Sequence, residues 1–179
     1  MKIAICVNGE SFKFEKGYYW LKQNYLDKYD CDIYTHTWDN SGNLDKILDL
    51  YQPKDYYFQS LIPFDDNDLE LNIILNKAYS SHACFNLVRE SKIEYDFIIN
   101  LEFGFIPNFS KNQYDQFASM PMPIAKKYFD YFTYILYYNF VDENYKKWES
   151  KSTNKSQKFI EYHLTQNDLS LSTLETFPE

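Results

Sequence analysis

Three short, largely apolar runs, each ending in small or polar residues, constrain the fold of this chain more than any other feature. Ile3-Ala4-Ile5-Cys6-Val7 runs into Asn8-Gly9-Glu10-Ser11. Cys31-Asp32-Ile33-Tyr34-Thr35 runs into His36-Thr37-Trp38-Asp39, and Tyr95-Asp96-Phe97-Ile98-Ile99-Asn100-Leu101 into Glu102-Phe103-Gly104. Short apolar runs bounded by turn residues are the pattern of strands buried on both faces of a parallel sheet. The stretches between them carry helical periodicity, which parallel pairing demands, because each parallel pair needs a long crossover. Open α/β sheets bind their ligands at the carboxyl ends of the strands, so the three polar endings mark one site-bearing edge.

The full pass alternates strand and helix. Strands are expected at residues 2–7, 32–36, 55–59 and 95–102. A helix over 14–28 places Phe14, Tyr18, Leu21 and Tyr25 at helical spacing; a helix over 43–51 is capped by Asn43 and stopped by Pro53; a long helix over 69–91 is capped by Asp68. After Pro107 the pattern changes. Residues 110–117 read as a short polar helix or loop, and Met120-Pro121-Met122-Pro123 as a break in regular structure. Helices follow over 124–140, 143–150 and 156–166, with room for one further strand near Leu169 to Leu171. The expectation is a single α/β domain over residues 1–179, doubly wound on a mostly parallel sheet, with a helical C-terminal third.

Composition excludes several function classes. The formal net charge is −8, and no Lys/Arg cluster is dense enough to form a basic face, so no nucleic-acid partner is expected. No apolar run approaches the length of a membrane span, and the first residues are strand-like, so a cytoplasmic protein without a signal segment is expected. Cys6, Cys31 and Cys84 are too widely spaced for a zinc site and read as small buried hydrophobes. The chain has 17 Lys against one Arg, Arg89, with 18 Tyr and 15 Phe. That bias reads as AT-rich coding, so the Tyr/Phe stripe from Tyr128 to Tyr138 is read first as packing surface.

The residues at the strand ends carry the chemistry. Gly9 lets a ligand approach the backbone, and Ser11 with the amides opening the next helix suits a ribose or phosphate; an ordinary turn would look the same. Asp39 can accept from a ribose or a base edge and Trp38 can cover the site, or Trp38 plugs the sheet end and Asp39 shapes a turn. Glu102, directly after a buried strand, must be solvated, paired or bound to a cation.

Taken together, Ile3 to Glu15, Cys31 to Asp39, Tyr95 to Phe105 and the late stretch Phe159 to Leu164 resemble a family of small glycosyltransferase-like proteins with a GT-A (nucleotide-diphospho-sugar transferase) fold. Such proteins are encoded by large DNA viruses, phages and bacterial polysaccharide clusters. The resemblance implies a nucleotide-sugar donor, a glycan acceptor and a divalent cation, Mn²⁺ or Mg²⁺. It implies donor contacts from Asn8, Gly9, Glu10, Ser11, His36, Trp38, Asp39 and Asn100; Glu102, read from its place after a buried strand, is the candidate catalytic and metal-facing acid. The chain departs from the family at four places. Phe12 and Asn100 stand where the family has Arg, Glu102 where it has a second Arg in its strand-ending motif, and Gly104 where it has the metal-binding Asp. Two readings stay open. Glu102 with a neighbour such as Asp115 rebuilds a cation site, or the fold is kept without transfer chemistry as a binding or assembly module. In the second case the aromatics of 124–140 would form a partner or homodimer surface.

Overall fold

The computed structural model describes residues 1–39, 42–64, 69–106, 117–129 and 162–166. Its centre is a five-stranded sheet in the order β3-β2-β1-β4-β5. The strands are β1 (Lys2–Gly9), β2 (Asp30–Trp38), β3 (Asp55–Gln59), β4 (Phe97–Glu102) and β5 (Phe117–Pro121). β1 pairs in parallel with β2 on one side and β4 on the other, β2 pairs in parallel with β3, and β5 runs antiparallel to β4. The strand order reverses between β1 and β4, the place where ligands settle in sheets of this kind.

Helices cover both faces. α1 (Phe14–Leu21) and α2 (Leu44–Tyr51) pack with Ile3, Ile5, Val7 and Ile33 on one side of the sheet. α3 (Leu69–Glu90) and α4 (Met122–Phe129) pack with Ala4, Cys6, Tyr34 and Ile98 on the other. The odd and even residues of β1 therefore serve two different cores, as the pleat requires. Phe85 of α3 and Phe129 of α4 stack with ring centres 4.5 Å apart, so the described start of the Tyr/Phe stripe is core rather than surface.

Several expectations change in detail. β1 and β2 run to Gly9 and Trp38, so Asn8-Gly9 and His36-Thr37-Trp38 lie inside the strands, with Glu10, Ser11 and Asp39 beyond them. The helix over 14–28 is α-helical only to Leu21 and then widens into a π-turn over Lys22–Leu26, which seats Tyr25 in the core. Asn43 holds the N-cap position of α2 through its carbonyl, which accepts from Ile47 N at 3.0 Å, not through its side chain. The break expected at Met120-Pro121-Met122-Pro123 is instead the junction of β5 and α4. Pro121 ends the strand and Pro123 lies in the first turn of the helix, two positions where the missing N–H is tolerated. The expected Asp68 cap, the segment 110–116, the helix beyond 129, the helix over 143–150 and the strand near Leu169 lie outside the described residues, and so does Asp115. Residues 162–166 are helical, with His163 buried and its Nε2 donating to Lys127 O at 2.6 Å.

Candidate functional site

One face of α3 organises the carboxyl edge. Lys77, Ser80, Ser81, Cys84 and Val88 recur at helical spacing, so they share a side of the helix, polar toward the strand ends and apolar toward the strand starts. Ser80 Oγ accepts from Gly9 N at 2.8 Å and lies 2.6 Å from His36 Nδ1. Ser81 Oγ donates to Asn8 Oδ1 at 2.9 Å, Asn8 Nδ2 donates to Asn100 Oδ1 at 2.6 Å, and Asn100 Nδ2 reaches Tyr128 OH at 3.5 Å. Further down, Cys84 Sγ donates to Tyr34 O at 3.2 Å. Three of the residues expected to touch a ligand, Asn8, His36 and Asn100, are thus fully buried and lock α3 onto the sheet. Buried polar groups need such partners, and a network of this kind fixes the helix in one register.

His36 sits in an aromatic enclosure, with the rings of Trp38, Tyr57 and Tyr79 centred 5.0, 5.6 and 5.7 Å away. Its Nε2 has no hydrogen-bond partner among the described residues. Burial lowers its pKa from 6.5 to about 4, which keeps the imidazole neutral. Trp38 is buried and stacks on Tyr79 at 6.0 Å, closing the end of the sheet. Asp39 is exposed and accepts from Ser60 Oγ at 3.0 Å, tying the end of β2 to the segment after β3.

Gly9 and Glu102 meet at the reversal of strand order. Asn8 is the register partner of Glu102, and a Cβ placed on Gly9 would lie 3.4 Å from Glu102 Cγ. The Glu102 carboxylate pairs with Lys77 Nζ at 3.0 Å, and both side chains keep some exposure, 18% for Glu102 and 35% for Lys77. Lys77 carried no sequence motif; its signal was the polar triplet with Ser80 and Ser81 on an otherwise apolar helix face.

On the α1 side of this edge, the turn after β4 folds back over the start of α1. Phe103 N donates to Asn8 O at 3.0 Å, and Phe103 is buried against Tyr51 with ring centres 5.4 Å apart. Gly104 has φ of +69°, and a Cβ there would collide with the carbonyl oxygen of Phe12. Gly17 lies against the same turn, its own Cβ position 2.8 Å from Gly104 N. Residue 104 is glycine because backbone packs where a side chain would be. Beside this seal lies a cavity of about 450 Å³ lined by Glu10, Ser11, Phe12, Lys13, Phe14, Glu15 and Asn43, within the size range of small-molecule sites. Ser11 is buried there, and its Oγ has no partner among the described residues. Phe12 is 68% exposed, and Lys13 Nζ lies 4.7 Å from the centre of its ring. Lys13 itself takes a left-handed backbone, φ +53°, to turn the chain into α1.

Among the described residues, the oxygen donors needed for the divalent cation that the resemblance implies do not gather around Glu102; Asp115 lies outside those residues. Hard cations of this class take several oxygen ligands. Among the described residues, no three His, Cys, Asp or Glu side chains gather closely enough to hold a metal. Glu102 is engaged by an ammonium, and position 104 has no room for a carboxylate.

No family model, no curated protein and no solved structure matches the chain. Among the described residues, no helix is long and apolar enough to cross a membrane.

Proposed function

We propose that this chain binds a nucleotide-diphospho-sugar at the carboxyl edge of its sheet, as a glycosyltransferase-like protein of the GT-A kind. The observation that carries the reading is the contact of Gly9 with Glu102 at the reversal of strand order, beside a cavity of about 450 Å³. The nucleoside half belongs in that cavity. Glu10 and Glu15 on its wall suit ribose hydroxyls, which donate to carboxylates, and Ser11 Oγ offers a buried, unused polar group. The same two carboxylates repel a diphosphate, which therefore points away from them, toward Lys77. In the transfer reaction, the bond from the sugar's anomeric carbon to the β-phosphate oxygen breaks. A bond to a hydroxyl oxygen of a glycan acceptor forms, and the acceptor proton passes to a carboxylate, a role that falls to Glu102 as the acid at the strand end.

A second reading, a nucleotide-sugar binder without transfer, is favoured by one specific feature. The family's acid is replaced at Gly104 by a backbone contact that admits no side chain, and removing one preorganised charged contact from an active site commonly costs on the order of 10² to 10³ in rate. Calorimetry with UDP- and GDP-sugars, followed by an assay for nucleoside diphosphate release onto a glycan hydroxyl, tests both. Binding with release supports the transferase, binding without release supports the binder, and no binding of either donor refutes the proposal.

A further inference from the structure

We infer that the ammonium of Lys77 takes the place of the divalent cation, so that this edge binds a diphosphate without metal. The inference deepens the nucleotide-sugar reading and rests on it for the identity of the natural ligand. Two observations carry it. Lys77 Nζ lies 3.0 Å from Glu102 Oε1, which puts a positive charge against the strand-end acid read from the sequence as metal-facing. Gly104 cannot supply the second carboxylate, because its left-handed backbone and the Phe12 carbonyl leave no space for one.

The charge balance supports the same assignment. The chain carries −8 overall, and Glu10, Asp39 and Glu102 all stand at this edge, so a diphosphate needs a local cation to dwell there. Lys77 sits two turns into α3 and is held over the sheet by the Ser80 and Ser81 locks one turn further on. Its side chain keeps 35% exposure. A lysine is a compact point charge on a flexible stem, able to swing from a carboxylate to a phosphate oxygen. Binding then exchanges one anion for another on the same ammonium, and Glu102 acts as the competitor that the ligand displaces.

This makes Glu102 and Lys77 respond in opposite directions, which a metal site would not do. The test is calorimetry on the full chain with inorganic pyrophosphate as the probe, in EDTA and again in Mn²⁺, for the native protein, Lys77→Met and Glu102→Gln, with thermal unfolding to confirm that each variant is folded. The expected result is equal pyrophosphate binding in EDTA and Mn²⁺. Lys77→Met should bind about ten- to a hundredfold more weakly, the size of one lost charge-assisted contact. Glu102→Gln should bind at least as tightly as the native protein, and Lys77→Arg should retain binding. Binding that appears only with Mn²⁺ and vanishes in Glu102→Gln overturns the inference in favour of a cation site, and so does undiminished binding by folded Lys77→Met. A UDP-sugar titration run alongside separates the two levels. UDP-sugar binding without metal-free pyrophosphate binding defeats only the Lys77 assignment. Lys77-dependent pyrophosphate binding without any nucleotide binding defeats only the nucleotide-sugar reading.

Discussion

Gly42 and Gly104 both have left-handed backbones, φ +65° and +69°, yet only one is enclosed: a Cβ on Gly42 meets nothing within 4 Å, while one on Gly104 strikes the Phe12 carbonyl. Gly42→Ala should therefore cost about 1 kcal/mol, the backbone penalty alone. Gly104→Ala should cost about 2–4 kcal/mol, because overpacking adds to the same penalty. Urea denaturation of the two variants checks this, and equal losses would mean that the turn after β4 is not seated on α1 as described. His36 supplies a second prediction. Its folded pKa of about 4 lies below the ordinary 6.5, so the unfolded chain binds the proton first. The stability that depends on neutral His36 is present above pH 6.5 and lost as pH falls toward 4, roughly 3 kcal/mol across the window. Stability measured from pH 7 to 4 for the native chain and for His36→Phe should differ in slope by about that amount; parallel profiles would show that His36 titrates normally. Of the strand-end residues, Gly9 and Glu102 were legible as members of one edge because each ends a largely apolar run. The buried roles of Asn8, His36 and Asn100 were not, since their partners Ser80 and Ser81 lie on a helix whose register on the sheet is a tertiary fact.

At the scale of elements, α3 is the member on which both the core and the edge depend. Its apolar half meets α4 through Phe85 and Phe129, a near-parallel stack of two buried rings. Phe129→Ala should cost about 3–5 kcal/mol, as large-to-small changes in a close-packed core do. Its polar half makes the Ser81–Asn8–Asn100 chain, and Ser81→Ala should cost about 1–3 kcal/mol by leaving Asn8 Oδ1 buried without its donor. Chemical denaturation checks both, and a neutral Ser81→Ala would remove α3 from its assigned role at the edge. The helices and parallel strands were readable because hydrophobic period and turn residues agree over each of them. β5 was not readable. Its alternation, Ala118 and Met120 toward α3 and α4, spans only five residues and ends in a proline that looks like a breaker until the antiparallel pairing with β4 places it at the strand terminus.

At the scale of the molecule, the reversal between β1 and β4 brings residues distant in the chain to one edge, and the two helical layers leave that edge to its loops. The parallel pairing of β1, β2, β3 and β4 followed from the βα alternation, but the strand order, the sealing turn at 103–105 and the Lys77 pair required the folded chain, because each is set by tertiary packing. Asp32 marks the opposite edge by contrast. Burial raises its carboxyl, but Lys54, Tyr95 and Lys2 together hold it below the ordinary range, a structural cluster far from the strand ends. Hydrogen exchange of the full chain, with and without a saturating UDP-sugar, tests the central claim most directly. The account predicts slowed exchange in residues 9–15 and 102–104 together, with the amino edge around Asp32 unchanged. Protection confined to the amino edge or to the outer strand β3, in a chain that demonstrably binds the ligand, would contradict it.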